Sequence, residues 1–395
     1  MADATFASDP APAQSGPTLT DEQERALAAI LDWYADPKRQ EFYLAGYAGV
    51  GKSFLVDTAL RRLREKYRVK NVPTAAFTGK AANVLRKRGV EAQTIHSLIY
   101  ILDDQDDEDG PTFRLNEWGP ARDADLIVLD ECSMIDERMA DDLRSFGKKL
   151  LVIGDPGQLP PVRGQGAFTN RPPDAMLTEI KRQAADNPII DLATRARKGQ
   201  PLPLGNYGQG VRVVPYDANA GAYVYDAETQ VICGVHRVRW TLTRRIRNWL
   251  GYTSRRPEPG ETVLCRRNNH QRGIFNGQFG EMRSLSPLPG KDKPLHLATV
   301  LMEEQQEPLT LNVHPYLFDE HYHGRQERPE RRRRTEVNHF DFGHVLTCHS
   351  AQGSQFPRVT VIDDSRAFRE DAAKWLYTAI TRAESGLTIV TREDA

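Results

Sequence analysis

The chain has 395 residues, of which 39% are hydrophobic and 27% charged, and its net charge is −1. That length leaves room for two or three domains with substantial cores, no apolar run is long enough to span a bilayer, and no basic-then-apolar leader opens the chain. The overall charge by itself points to no polyanion partner, and the scattered cysteines Cys132, Cys233, Cys265 and Cys348 lack CxxC spacing, so they read as reduced thiols rather than metal ligands or disulfides.

Residues 1–17 are small, Pro-rich and aperiodic, the pattern of a disordered tail. Thr20 predicts the N-cap of a first helix whose buried stripe is Leu27, Ile30, Leu31 and Tyr34. Strand-like runs then alternate with helical patterns at EFYLAG, VPTAAFT, ADLIVLD and KKLLVIGD. A second set follows at TQVICGV, ETVLCRR, RVTVIDD and GLTIVT, with helices expected over 236–250 and 369–383. This alternation predicts an α/β fold, two tandem domains with parallel sheets flanked by helices. Two segments break the rhythm. Residues 99–123 carry DDQDDEDG and then PTFRLNEWGP, compatible with a β-hairpin whose acidic run is solvated loop. Residues 283–345 read as a small β-rich insert ending in RPERRRR; the arginine run 331–334 either touches phosphate or lies in an exposed loop.

Chemistry enters at YLAGYAGVGKSFLV. Gly46-x4-Gly51-Lys52-Ser53 stands after a strand and before a helix, the context in which backbone N–H groups converge on phosphate oxygens. Gly46, Ala48, Gly49, Val50, Gly51, Lys52, Ser53 and Phe54 are the expected nucleotide-binding loop, with Lys52 on the β/γ-phosphates and Ser53 on Mg²⁺. In DLIVLDECSMID, Asp130 and Glu131 follow an apolar strand, so both carboxylates emerge at its carboxyl end. Asp130 reads as the metal-side acid and Glu131 as the base that activates water.

Near the carboxyl end, WLYTAITRAESGLTIV puts Trp375, Leu376, Ala379, Ile380 and Ala383 on one helical stripe. Arg382 falls at the edge of that stripe with no acid at helical spacing to pair with it. Phosphoryl transfer needs positive charge on the γ-phosphate, and a well-placed arginine supplies about 10³–10⁵ in rate. The alternative is an ion pair with an acid remote in sequence.

Together these motifs resemble the superfamily 1 DNA helicases of the RecD-like and Dda-like branch, over most of the chain from about residue 18. LTDEQERAL looks like the Q motif, which implies Gln23 on adenine, although Thr20-x-x-Gln23 is also a capping box. GYAGVGKS and VLDECSMID match motifs I and II, with Cys132 where the family more often has alanine. TAAFTGKAANVL is similar to motif Ia and TIHSLI to the motif after it, implying that Thr78, Gly79, Lys80, Thr94 and His96 contact single-stranded DNA. VIGDPGQLPPV resembles motif III and makes Gln158 the coupler between γ-phosphate and strand, while LTEIKRQ resembles motif IV and places Arg182 beside the phosphates. LTCHSAQGSQF resembles motif V, with Thr347, His349, Ser350 and Gln352 toward the strand and Gly353 toward the nucleotide; YTAITRA resembles motif VI with Arg382.

The resemblance implies two tandem RecA-like P-loop domains, 1A over 18–176 and 2A over 177–282 and 346–395, with a pin-like insert 1B at 99–123 and an SH3-like insert 2B at 283–345. Phe113 or Trp118 becomes the wedge at the first base pair, or either is a simple core aromatic. The implied activity is an ATP- and Mg²⁺-dependent helicase that moves 5′→3′ on single-stranded DNA and opens tailed duplexes. It implies a monomer in the cytoplasm of a bacterial or phage-infected cell, working beside a single-strand-binding protein or other replication and recombination proteins. Other classes remain: a P-loop switch or loader without strand separation, a signalling NTPase indifferent to nucleic acid, or a motor on RNA.

Overall fold

A computed structural model of the chain describes residues 18–103, 112–160, 166–180, 186–216, 228–269, 272–289, 295–303, 305–325 and 337–391. The expected tail at 1–17, most of the acidic run, Arg182 and the arginine run 331–334 lie outside the described residues. Among the described residues no helix is long and apolar enough to cross a membrane.

The first lobe begins with α1 (Asp21–Ala35), where Thr20 Oγ1 accepts the Gln23 N–H and Gln23 Oε1 accepts the Thr20 N–H. Its buried face carries Ala26, Leu27, Ile30 and Trp33; Leu31 and Tyr34, expected in the stripe, are only partly buried. Trp33 takes the inner position by packing on Phe42 at 5.5 Å between ring centroids, and Tyr34 turns toward Tyr67. There follow β1 (Glu41–Gly46), α2 (Lys52–Tyr67), β2 (Thr74–Ala76), α3 (Gly79–Lys87), β3 (Ala92–Thr94) and α4 (Ile95–Ile99). A hairpin of β4 (Tyr100–Asp103) and β5 (Thr112–Leu115) precedes β6 (Leu126–Asp130), α5 (Glu137–Ser145), β7 (Lys149–Gly154) and β8 (Ala175–Leu177). The six-stranded sheet runs β3-β2-β6-β7-β1-β8, every pairing parallel. Parallel strands buried on both faces put their carboxyl ends along one edge, and Gly46, Asp130 and Gly154 meet there.

The second lobe comprises α6 (Pro188–Arg197), β9 (Gly205–Gly208), β10 (Val211–Pro215), β11 (Thr229–Cys233) and α7 (His236–Trp249). The chain then leaves the lobe for β12 (Thr262–Cys265), β13 (Phe279–Pro287), β14 (His296–Met302), β15 (Leu309–Val313), α8 (Tyr316–His323) and β16 (Phe340–Phe342). It returns with β17 (Val345–Thr347), α9 (Cys348–Ala351), β18 (Phe356–Ile362), α10 (Ala372–Ile380) and β19 (Ala383–Thr391). The second sheet is ordered β17-β11-β18-β19-β10-β9, parallel except at its β9 edge.

Two expectations need correction here. The ETVLCRR strand, assigned to the second parallel sheet, is β12 and pairs antiparallel with both β13 and β16 in a separate five-stranded sheet. That β-rich unit therefore opens at Thr262 rather than at 283, and the parallel sheet takes β10 and β17 instead. The helix expected over 369–383 starts at Ala372 and stops at Ile380, so Arg382 stands just past its end where β19 begins.

Buried ion pairs join the β-rich unit to α7. Arg247 donates to both carboxylate oxygens of Glu261, at 2.5 and 3.1 Å, and His344 Nε2 lies 2.9 Å from the same group. Asp341 sits between Arg239 and His321, each at 2.7 Å. Burial pushes the Asp341 carboxyl up, but the neighbouring Arg239 and His321 outweigh it and hold the group well below the usual carboxylate range.

Candidate functional site

At the carboxyl end of β1 the chain turns through Gly49 and Gly51, both at φ +81°, a left-handed conformation that favours glycine. Gly51 is the N-cap of α2 and no side chain caps that end, which leaves the first-turn N–H groups directed at the loop. Lys52 Nζ donates to the carbonyls of Gly46 at 2.6 Å and Tyr47 at 3.0 Å. Gln23 is 1% exposed and both ends of its amide are engaged: Oε1 caps Thr20, and Nε2 donates to the Val50 carbonyl at 2.9 Å. Its side chain thus completes the capping box and braces the Gly49–Gly51 turn against α1.

Across the sheet, Asp130 Oδ1 accepts the N–H of Glu131 at 2.9 Å. Glu131 is held at φ +53°, a strained position for a residue with a side chain and one that clusters at functional sites. Burial, and then the adjacent Glu131 charge, push the Asp130 carboxyl up to about 6, with Lys52 and Arg88 pulling the other way. No group of three or more His, Cys, Asp or Glu suited to a metal occurs among the described residues. The Ser53 hydroxyl and Asp130 carboxylate are hard oxygen donors of the kind that suit Mg²⁺ bound largely through phosphate and water. Cys132 packs behind this edge, its Sγ 2.5 Å from where a Gly154 Cβ would stand, so glycine at 154 makes room for the thiol.

The segment 155–159 joins this edge to the second lobe. The Leu159 N–H donates to Thr378 Oγ1 at 2.9 Å, and its carbonyl accepts from Gln352 Nε2 at 2.8 Å. Beside it, Gln158 is buried and its Oε1 has no hydrogen-bond partner among the described residues. Arg382 is 4% exposed and donates to the carbonyls of Thr378 (3.1 Å) and Ser354 (3.2 Å) and to Thr381 Oγ1 (3.2 Å). Those bonds all lie within the second lobe, and Arg382 forms no ion pair among the described residues. Sequence reasoning missed the other cleft residues. Arg197 stacks 3.4 Å over the Tyr47 ring, and Tyr377 and Asp155 meet beside Ala48. Their signal is faint: an aromatic inside the phosphate loop and one on the helix that precedes Arg382.

The predicted strand contacts share one local design. Thr78, Thr94 and Thr347 are the N-caps of α3, α4 and α9, accepting from Ala81, Ser97 and Ser350 N–H at 3.1, 3.1 and 3.4 Å. Each follows a parallel strand, so three helix N-termini, favourable to phosphate, stand at strand carboxyl ends. Ser350 also takes Arg266 Nη1 at 3.3 Å, and His349 packs on Phe368.

Four expected contacts are placed differently. Gly353, expected at the nucleotide, lies against the start of α3: a Cβ there would be 2.9 Å from Ala81 Cβ and 3.0 Å from Thr78 Oγ1. Lys80 is clasped between the Phe279 and Phe356 rings, 4.1 Å from each centroid, a cation–π pairing of the first-lobe helix with β13 of the β-rich unit and β18 of the second lobe. Gly79 backs onto Phe275, whose Cβ would be 3.0 Å from an added Cβ. Gln352 holds the 155–159 segment, as described above.

At the hairpin, His96 packs between Tyr100 and Phe113, with centroids at 5.4 and 5.8 Å. Phe113 is 42% exposed and Trp118 79% exposed, Trp118 backed by the Arg122 guanidinium at 3.7 Å, so neither is a core aromatic.

A family model described as an AAA domain matches residues 18–214, and one described as a UvrD-like helicase C-terminal domain matches residues 342–390. The chain is 27% identical over 390 residues to the ATP-dependent RecD2 DNA helicase of Deinococcus radiodurans, covering 92% of this chain and 48% of that protein. The chain spans about half the length, or less, of the first curated relatives it matches. Among solved structures, the Pif1 helicase from Candida albicans shares the fold with a TM-score of 0.52 at 20% identity, covering 95% of this chain and 94% of that one. Pif1 from Bacteroides, solved with ADP-AlF3 and ssDNA, gives 0.54 at 18% identity, covering 95% and 93%. With these neighbours, the two parallel sheets identify a pair of RecA-like lobes.

Proposed function

We propose that the chain is a RecD- and Pif1-like superfamily 1 helicase, an ATP-driven motor that travels 5′→3′ along single-stranded DNA and separates tailed duplex. The observation that carries this reading is Leu159, bound through both its peptide groups by Thr378 and Gln352. It ties the loop beside the phosphate site to the lobe that carries Arg382 and the Thr347 helix cap.

In this reading the loop N–H groups and Lys52 hold the triphosphate, and Gln158 reaches toward its γ end. Mg²⁺ held by Ser53 and Asp130 would neutralise charge on the phosphate oxygens. Glu131 orients and deprotonates the attacking water, and Arg382 with Arg182 brings positive charge from the second lobe, Arg382 first leaving its carbonyl partners. Thr78, Thr94 and Thr347 present helix N-termini to backbone phosphates, with His96, His349 and Ser350 beside them. Binding of this kind is salt-sensitive and largely indifferent to base sequence. The first lobe, expected over 18–176 and carried one residue further by β8, with the insert at 99–123, and the second lobe alternate their grip as the cleft opens and closes. The hairpin meets the duplex through Phe113 or Trp118, and the unit opening at Thr262 is the SH3-like insert. The motor works as a monomer, in replication, repair or recombination.

A strand-displacement assay on 5′-tailed and 3′-tailed duplexes, with and without ATP, tests this. Opening of the 5′-tailed substrate alone, and only with ATP and Mg²⁺, is the expected result. ATPase stimulated by DNA without displacement of either substrate would make the chain a loader or switch.

A further inference from the structure

Tyr377 belongs to α10 of the second lobe and is 2% exposed, yet both hydrogen-bond partners of its hydroxyl are in the first. The oxygen accepts the Ala48 N–H at 2.7 Å, and the O–H donates to Asp155 Oδ2 at 2.5 Å. The other carboxylate oxygen of Asp155 accepts the Gly157 N–H at 2.9 Å, so the acid is fixed by a donor from each lobe. A Cβ at Gly157 would come within 2.9 Å of the Tyr377 ring, which shows how closely the aromatic is wedged in place.

Ala48 sits within the phosphate loop, and its N–H is one of the row that a triphosphate would draw on. One N–H serves one strong acceptor at a time. The phenol of Tyr377 and a phosphate oxygen therefore compete for the same donor. The next residue, Thr378, accepts the Leu159 N–H, and its carbonyl accepts Arg382 Nε at 3.1 Å. A movement of Tyr377 is thus transmitted within one helical turn both to the 155–159 segment and to Arg382.

We infer that Tyr377 is a positioning residue that reports occupancy of the phosphate loop to the second lobe. A phosphate oxygen that takes the Ala48 N–H displaces the phenol, loosens its bond to Asp155 and frees the end of α10 to re-aim Arg382. This rests on the reading of residues 46–53 as a triphosphate site.

The test compares Tyr377→Phe, which keeps the ring but not the hydroxyl, with Thr378→Val, which removes an interlobe bond that does not touch the phosphate loop. ATPγS affinity is titrated without DNA, and kcat and KM for ATP are measured with and without single-stranded DNA. Tyr377→Phe binds ATPγS about fivefold more tightly, the effect of removing one neutral competitor for the N–H, and loses DNA stimulation of kcat. Thr378→Val leaves ATPγS affinity unchanged. Thermal unfolding confirms that both variants are folded. Equal or weaker ATPγS binding by folded Tyr377→Phe overturns the inference alone, as does the same tightening in Thr378→Val. Failure of the wild-type chain to bind ATPγS overturns the phosphate-site reading and the inference with it.

Discussion

Gln352 donates its Nε2 to the carbonyl of Leu159 at 2.8 Å, from the second lobe to the first, while its own Oε1 is buried with no partner among the described residues. A residue expected on the strand side therefore grips the segment next to the phosphate site. Gln352→Leu removes the orphaned acceptor but also strips the buried Leu159 carbonyl of its donor, so it should cost about 1–3 kcal/mol of stability. DNA-stimulated ATPase should fall about five- to tenfold, the worth of one bridging hydrogen bond, with DNA-independent turnover retained. ATPase titrations with single-stranded DNA read this out; undiminished stimulation would show that the bond carries no coupling.

Arg382 is bound to backbone carbonyls rather than to an acid, which separates two roles of the side chain. Arg382→Ala should bind ATPγS as the wild type does and lose turnover by about 10³-fold or more. It should also lower stability by about 1–3 kcal/mol, because buried carbonyls lose their donors. Arg382→Lys keeps the charge but not the planar fork, so it recovers neither in full. Normal turnover in the alanine variant would contradict the γ-phosphate role.

Asp130 gives a pH prediction. Its carboxyl in the folded chain is pushed up to about 6 by burial and then by Glu131, above its value in the unfolded chain. Ionised Asp130 therefore opposes folding above that pH, and the opposition fades as pH falls through 6 toward the ordinary carboxylate range. In metal-free buffer, Asp130→Asn should gain about 1–3 kcal/mol of unfolding free energy near pH 8 and nothing near pH 4. Urea denaturation at the two pH values checks the sign; a gain of equal size at both would rule out ionisation as its cause.

The insert can be tested without deleting it, which matters because Ala121, beyond β5 but within residues 99–123, is fully buried. Phe113 packs on His96 and Tyr100, whereas Trp118 is backed by Arg122. Phe113→Ala should slow displacement of 5′-tailed duplex about tenfold with DNA-stimulated ATPase intact, the loss of one aromatic stacking contact. Trp118→Ala should leave thermal stability unchanged. Undiminished displacement by the double variant would remove the pin assignment.

Much of this protein could be read before any fold was known. The glycine turn ahead of α2, the strand that ends at Asp130, the capping box at Thr20 and the alternation of strand and helix are local patterns, and local patterns survive in sequence. Errors came where partners were distant. β12 reads like any buried strand, and only pairing with β13 and β16 puts it in the antiparallel sheet. β10 and β17 are too short for alternation to stand out.

The order of motifs along the chain determined that there would be two RecA-like lobes, and it named the residues expected to handle phosphate. Tertiary structure alone decided what each polar side chain does between those lobes: Lys80 between two phenyl rings, Gln352 on Leu159, Tyr377 between Ala48 and Asp155. The physical reason is range. A cap or a glycine turn is set by neighbours a few residues away, whereas a buried donor must find its acceptor wherever packing brings one, and here the partners come from opposite ends of the chain.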